Sequence, residues 1–256
     1  MDTILIYIIV FSFIGSVLSL IGGVILLTKE KFALKISHLL SAFAGGALLG
    51  TAFFDLLPEG LEQAQELGLE VNVFLWSLLG VLVFFLLERF IHHHDQNGNP
   101  AHKQTLVPLI VIGDSIHNFI DGVAMAATFL ISIPLGIVTA LAVAAHEIPQ
   151  EIGDFGLMLH KGVARKKVLL INFYSALAAL LGAILTYLAK DKIENLLPAV
   201  LGLTAGFFIY IAAANLIPEI HHQGNQRAAF WETMALILGV IVVYMTITIL
   251  EVQIIH

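Results

Sequence analysis

Cysteine is absent from this chain of 256 residues. That excludes disulfides, thiolate nucleophiles and cysteine-built zinc sites, so a bound metal would rest on imidazole, carboxylate, amide or water. Charge is scarce too. Only 12% of the residues are Asp, Glu, Lys or Arg, against roughly a quarter in a soluble domain. The formal net charge of −7 lacks the basic surplus that nucleic acid asks of a partner. No phosphate-binding glycine loop of the nucleotide-driven pumps occurs, which excludes direct ATP drive. What fills the chain instead is apolar: 59% hydrophobic residues and a mean hydropathy of +0.94. Such a chain cannot cover itself with polar surface, so lipid must cover it.

A span needs about 20 mostly apolar residues. Eight such stretches are expected, at 4–27, 36–58, 71–91, 105–130, 134–160, 167–189, 197–220 and 229–251, in one all-α membrane domain. The first lacks a basic leader and is too long for a signal-peptide core, so it reads as an uncleaved span. The loops after spans 1, 3, 5 and 7 hold Lys29, Lys31, Lys35, Arg89, Lys103, Lys161, Arg165, Lys166, Lys167 and Arg227, while the opposite side holds Lys190 and Lys192. Basic loops stay cytoplasmic, which places both termini outside a cell membrane. The loop after span 2 is expected to carry Glu59, Glu62, Glu66 and Glu70 at the outer mouth, where negative potential would gather cations. The stretch His92 to Gln104 contains His92, His93 and His94 with Asn, Gly and Pro, and reads as a flexible, solvated or metal-collecting loop.

A repeat links Ala52–Gly60 (AFFDLLPEG) with Ala212–Ile220 (AAANLIPEI), 160 residues later, and Gly46 with Gly206 in the same register. Spans 2 and 7 run in opposite directions, as an inverted-topology repeat requires. Pro58 and Pro218 each leave a carbonyl, on Phe54 and Ala214, without its helical donor.

The chemistry is concentrated in spans 4 and 5. Span 4 carries Asp114, His117, Asn118 and Asp121; span 5 carries His146, Glu147, Gln150, Glu151 and Asp154. An ionisable group at mid-membrane costs about 2.5–3.5 kcal/mol on insertion scales. Five acidic groups there call for a compensating cation. His117 and Asp121 share a helix face at i, i+4, as do His146 with Gln150 and Glu147 with Glu151. Imidazole plus carboxylate suits Zn²⁺, and also Cd²⁺, Fe²⁺ or Mn²⁺. Pro149 frees the Ala145 carbonyl beside this stripe, which is tolerated at membrane depth where backbone lines a cavity.

The stretches HNFIDG (117–122) and HEIPQEIGD (146–154) resemble the paired metal-site motifs of the ZIP family of zinc transporters. The likeness is to bacterial-type members and to the subfamily with the HExPxE motif, and it covers essentially the whole chain. It implies a 3+2+3 inverted-repeat bundle and a transporter, not an enzyme. It also implies His117, Asn118, Asp121, His146, Glu147 and position 150 as metal ligands, with Glu151 as a further candidate. Position 150 is Gln where the family has His or Glu, and span 6 lacks the Glu-Pro that completes a second metal site in some members. Along the pathway Asp55 and Glu59 are expected at the outer mouth, and Glu219, His221 and His222 at the inner one. Two other functions stay open on the residues: an intramembrane zinc protease, since His146-Glu147 begins like H-E-x-x-H but meets Gln150 where the second His belongs, and a proton-coupled carrier of another substrate. The oligomeric state is also open, a homodimer being one arrangement.

Overall fold

The computed structural model describes residues 2–93, 106–160, 162–218 and 226–254, and among them no strand occurs. Among the described residues eight helical rods follow one another. Helix α1 is Thr3–Thr28. Helix α2 runs over Glu30–Thr51, passes a π-helical stretch at Ala52–Leu56 and continues through Leu57–Glu66. Helices α3, α4, α5 and α6 are Val73–His93, Leu106–Ile131, Ile133–His160 and Arg165–Leu188. Helix α7 starts with short turns from Lys190, runs over Leu197–Tyr210 and ends in a second π-helical stretch, Ile211–Leu216. Helix α8 is Gln226–Ile254.

Six of these rods are long and apolar enough to cross a membrane: α1, α2, α5, α6, α7 and α8. Two of the eight expected spans fall short of that measure. In α4 the polar residues Asp114, His117, Asn118 and Asp121 dilute the apolar content. In α3 the described side chains end at Arg89. The acidic loop expected after span 2 is a correction: Glu59, Glu62 and Glu66 stand on helix, because α2 does not stop at Pro58. Proline is tolerated there since the preceding π stretch has already shifted the hydrogen-bond register.

The local starts and stops have identifiable causes. Asp2 caps α1 by accepting from the Ile4 N–H at 3.2 Å, and it also accepts from the Tyr187 hydroxyl at 2.7 Å and the Lys190 ammonium at 3.3 Å. These donors, Tyr187 foremost, hold the Asp2 carboxyl below its usual pKa. A single residue, Ser132, separates α4 from α5, its hydroxyl accepting from the Leu135 N–H at 3.3 Å. That tight link makes α4 and α5 antiparallel neighbours. Some buried hydroxyls are satisfied within their own helix, as a span without water favours: Ser16 donates to the Ser12 carbonyl and Thr128 to that of Ala124.

The two π stretches correspond. The Leu57 N–H reaches the Ala52 carbonyl and the Ile217 N–H that of Ala212, both pairs lying immediately before the prolines of the repeat. Close approaches between helices extend the correspondence. On α2, Gly46 lies against the backbone of Leu236 on α8, and Gly239 of α8 lies against Phe43. On α7, Gly206 lies against Ser77 of α3, and Gly80 of α3 lies against Leu203. Likewise Gly22 of α1 meets the Ile148 carbonyl of α5, while Gly182 of α6 meets the Phe119 carbonyl of α4. A methyl group at any of these sites would collide with backbone, so only glycine permits the approach. All these contacts fall inside one of two sets: α1, α4, α5 and α6, or α2, α3, α7 and α8. Large apolar side chains such as Phe74, Leu78 and Leu86 on α3 and Leu238, Tyr244 and Met245 on α8 point outward, as lipid-facing residues do.

Candidate metal centre

Four side chains from α4 and α5 converge in the interior. One ligand-type atom from each of His117, Asp121, His146 and Glu147 lies within 4.8 Å of the others, and all four residues are buried. The Nε2 atoms of the two histidines stand 3.1 Å apart. Asp121 Oδ2 is 3.5 Å from His117 Nε2 and 3.2 Å from His146 Nε2. Glu147 Oε1 is 3.4 Å from His117 Nε2 and 3.8 Å from His146 Nε2. A tetrahedral zinc site with ligands about 2.0–2.2 Å from the metal has ligand–ligand edges of about 3.3–3.6 Å. These five separations, from 3.1 to 3.8 Å, straddle that range.

Helix geometry explains the convergence. His117 and Asp121 lie one turn apart on α4. On α5 the donors are the adjacent His146 and Glu147, flanking the groove between the helices. The His146 ring is locked: its Nδ1 lies 3.1 Å from the Ala142 carbonyl, which can only accept, so Nδ1 carries the proton and Nε2 keeps its lone pair for the centre. Asp121 Oδ2 and both Glu147 oxygens lack a conventional hydrogen-bond donor although buried. Buried carboxylate oxygens left in this state require a cation or a proton.

The other expected ligands take different positions. Asn118 is buried, but its amide nitrogen donates to the backbone carbonyl and to Oδ1 of Asp114, at 3.1 and 3.0 Å. Gln150 is half-buried and approaches the Asp114 carboxyl. Glu151 is 1% exposed, with neither oxygen hydrogen-bonded, and lies close enough to Asp114 and Asp154 to interact electrostatically. Asp114 therefore emerges as the hub of a second acidic group beside the four, bordered by the Ser115–Ser175 hydroxyl pair at 3.1 Å. Ser175 occupies the stretch of α6 where a Glu-Pro is missing. Asp55 sits half-buried on the π stretch of α2, and Glu59 is bonded by Gln63 at 3.1 Å. Glu219, His221, His222 and His94 lie outside the described residues. His92 and His93 belong to the backbone of α3.

Aromatic residues wall the centre on one side. Phe84 of α3 meets the His117 ring edge-on at 5.3 Å, and Phe208 of α7 meets His146 at 6.1 Å. Behind Phe84 stand Phe207 at 5.5 Å and Tyr210 at 5.6 Å. Sequence reading missed this wall, since phenylalanines in an apolar span carry no distinguishing signal.

Comparison with known proteins gives the family. The profile of the family described as ZIP Zinc transporter matches residues 3–106 and 93–246. The chain belongs to the ZIP family. It is 34% identical over 235 residues to zinc transporter ZIP13 of Pongo abelii, covering 85% of this chain and 68% of that protein. It is 30% identical over 258 residues to ZIP13 of Mus musculus, covering 85% and 71%. To zinc transporter ZIP4 of Mus musculus it is 31% identical over 278 residues, covering 80% of this chain and 42% of the relative.

Proposed function

We infer that this ZIP-family protein moves Zn²⁺ across a cell membrane into the cytoplasm, with the ion passing through His117, Asp121, His146 and Glu147. The observation that carries the reading is the convergence of two imidazole nitrogens and two carboxylate oxygens at tetrahedral spacing in an otherwise apolar interior. Buried Cd²⁺, Fe²⁺ or Mn²⁺ would find the same donors. A protease reading has less support: four protein donors leave no open position for a catalytic water, and the centre uses Asp121 where H-e-x-x-h chemistry would use a second histidine of α5.

Eight spans with both termini outside follow from the basic residues of the odd-numbered loops. On that orientation α4 enters from the cytoplasm and α5 returns to it, so Asp114, Glu151 and Asp154 lie on the cytoplasmic side of the four donors. Asp55 and Glu59 then stand toward the outer mouth, and Glu219, His221 and His222 toward the inner one. A 3+2+3 inverted repeat is supported by the paired π stretches, by Gly46 with Gly206 and by Gly22 with Gly182, each pair 160 residues apart. Alternating access would arise as the set α1, α4, α5 and α6 shifts against the set α2, α3, α7 and α8, because the glycine-mediated backbone approaches described above join helices within each set.

The test is uptake of Zn²⁺ into sealed vesicles holding the purified protein, set beside His117→Ala and His146→Ala. Uptake by the parent and none by the variants is expected. Normal uptake by both variants would dismiss the centre.

A further inference from the structure

We propose that Phe84 is a positioning residue for His117, so that the metal affinity of the centre depends on where α3 and α7 stand against α4. The inference rests on the reading of the four donors as a metal site. It begins from a difference between the two histidines. His146 is oriented by its own helix through the hydrogen bond to the Ala142 carbonyl. Among the described residues no such bond reaches Nδ1 of His117, whose protein neighbours in the centre all face Nε2. What bears on the His117 ring from outside the four donors is Phe84, at 5.3 Å between centroids and an interplanar angle of 85°. That edge-to-face arrangement is the one aromatic quadrupoles prefer.

Phe84 is itself held. It is 8% exposed and leans on Phe207 and Tyr210 of α7. Tyr210 in turn is hydrogen-bonded to Glu88, one turn beyond Phe84 on α3. The wall therefore belongs to the helix set that contains neither histidine, while the ring it steadies belongs to the other set. A displacement of one set past the other would draw Phe84 away from His117 but leave His146 oriented by Ala142. His117 would then regain rotamer freedom, and holding it on the metal would carry an entropic penalty it did not have before. Binding would weaken on displacement, which is what release into the opposite compartment requires.

The experiment uses the full chain in detergent or nanodiscs. Zn²⁺ affinity is measured by competition with a chromophoric chelator, Co²⁺ is bound as a spectroscopic probe of coordination, and uptake gives KM and maximal rate. Phe84→Leu keeps an apolar side chain but removes the ring. It should weaken Zn²⁺ binding by about threefold to tenfold, the span that one aromatic pair contributes. KM should rise with no fall in maximal rate, and the visible spectrum of bound Co²⁺ should change. Phe207→Leu disturbs the support of Phe84 without removing the ring that meets His117, and should weaken binding less than Phe84→Leu does. If Phe84→Leu binds Zn²⁺ as the parent does, or if both variants lose affinity equally, the proposal is overturned. His117→Ala separates the two levels of inference: if it too binds normally, the metal-centre reading has failed, whereas loss in His117→Ala with parental binding in Phe84→Leu removes only the role of Phe84.

Discussion

A step of 29 residues carries His117 of α4 onto His146 of α5, and the same step carries Asn118 onto Glu147 and Asp121 onto Gln150. Each half of the centre supplies one imidazole and one carboxylate. They take the carboxylate from different places. Helix α4 uses the residue four positions after its histidine; α5 uses the residue immediately after. At the two vacated positions stand amides, Asn118 and Gln150, and both turn toward Asp114 instead of the four donors. The difference shows how two related helices can fill one tetrahedron. Two identical halves, each offering His, Glu and Asp, would bring four carboxylates around one cation and overshoot its charge. With amides at one position of each half, the four donors carry two negative charges against two positive ones on the metal.

The comparison breaks first if the histidines are unequal in kind. His117→Ala and His146→Ala should both abolish uptake, since removing one of four donors leaves buried carboxylates without compensation. In the parent, Zn²⁺ should raise Tm, because a ligand bound only by the folded state stabilises it. In either variant that rise should vanish. A persistent rise in one of them would mean that its histidine lies outside the coordination sphere.

The carboxylates come next. Asp121→Asn and Glu147→Gln should each weaken Zn²⁺ binding by at least about tenfold to a hundredfold, the two by similar factors, since that much is lost even when a group that only orients a ligand is removed. Isothermal titration of the purified variants measures this. A large loss in one and a negligible loss in the other would dissolve the equivalence of the halves and leave a three-donor site with an open position, reviving hydrolytic chemistry.

How much of this was written in the residues varies with the kind of force involved. Spans α1, α2 and α5 to α8 were visible because lipid demands long apolar runs, and the spacing of His117 and Asp121 because a helix face is periodic. The repeat was visible at Pro58 and Pro218, but not the π register that precedes each of them, because the sequence marks the missing donor and not where the chain takes up the slack. The end of α2 was misjudged for a related reason: Pro58 and a run of glutamates look like a loop, yet the register shift lets the helix pass to Glu66. At the centre, residue types pointed to all four donors; the i, i+4 rule alone paired His146 with Gln150 and Glu147 with Glu151, and it was the family resemblance that set Glu147 beside His146 as a ligand. That choice depends on how the α5 groove meets α4, which is a property of two helices. The hub role of Asp114 and the wall of Phe84 are likewise products of packing.

A third, smaller effect concerns the vacated position on α5. Gln150→His would place an imidazole where α4 has its Asp121 carboxylate. A fifth donor should tighten Zn²⁺ binding by about threefold to tenfold and slow turnover to match, because tighter binding without faster release raises the exit barrier. Competition titration and the maximal uptake rate report the two separately. Tighter binding with unchanged rate would show that release does not limit transport.

The smallest effect is expected at Asn118, and it is the most discriminating. Family resemblance makes this residue a ligand, whereas its amide nitrogen is committed to Asp114 at 3.0 Å and to that residue's backbone at 3.1 Å. If its main work is to hold Asp114, Asn118→Ala should change Zn²⁺ affinity by no more than about fivefold, since only part of the loss of a hydrogen bond to Asp114 reaches the four donors. Most of that change would travel through Asp114, which would lose a donor while 7% exposed. Asp114→Asn should then suppress the effect: with the charge gone, the missing amide matters less, and the double variant should lose less than the sum of the singles. A ligand would behave otherwise. Asn118→Ala would then approach the loss seen for Asp121→Asn, and Asp114→Asn would add to it. Measuring the four members of this cycle by Zn²⁺ titration decides whether α4 contributes two donors, matching α5, or three.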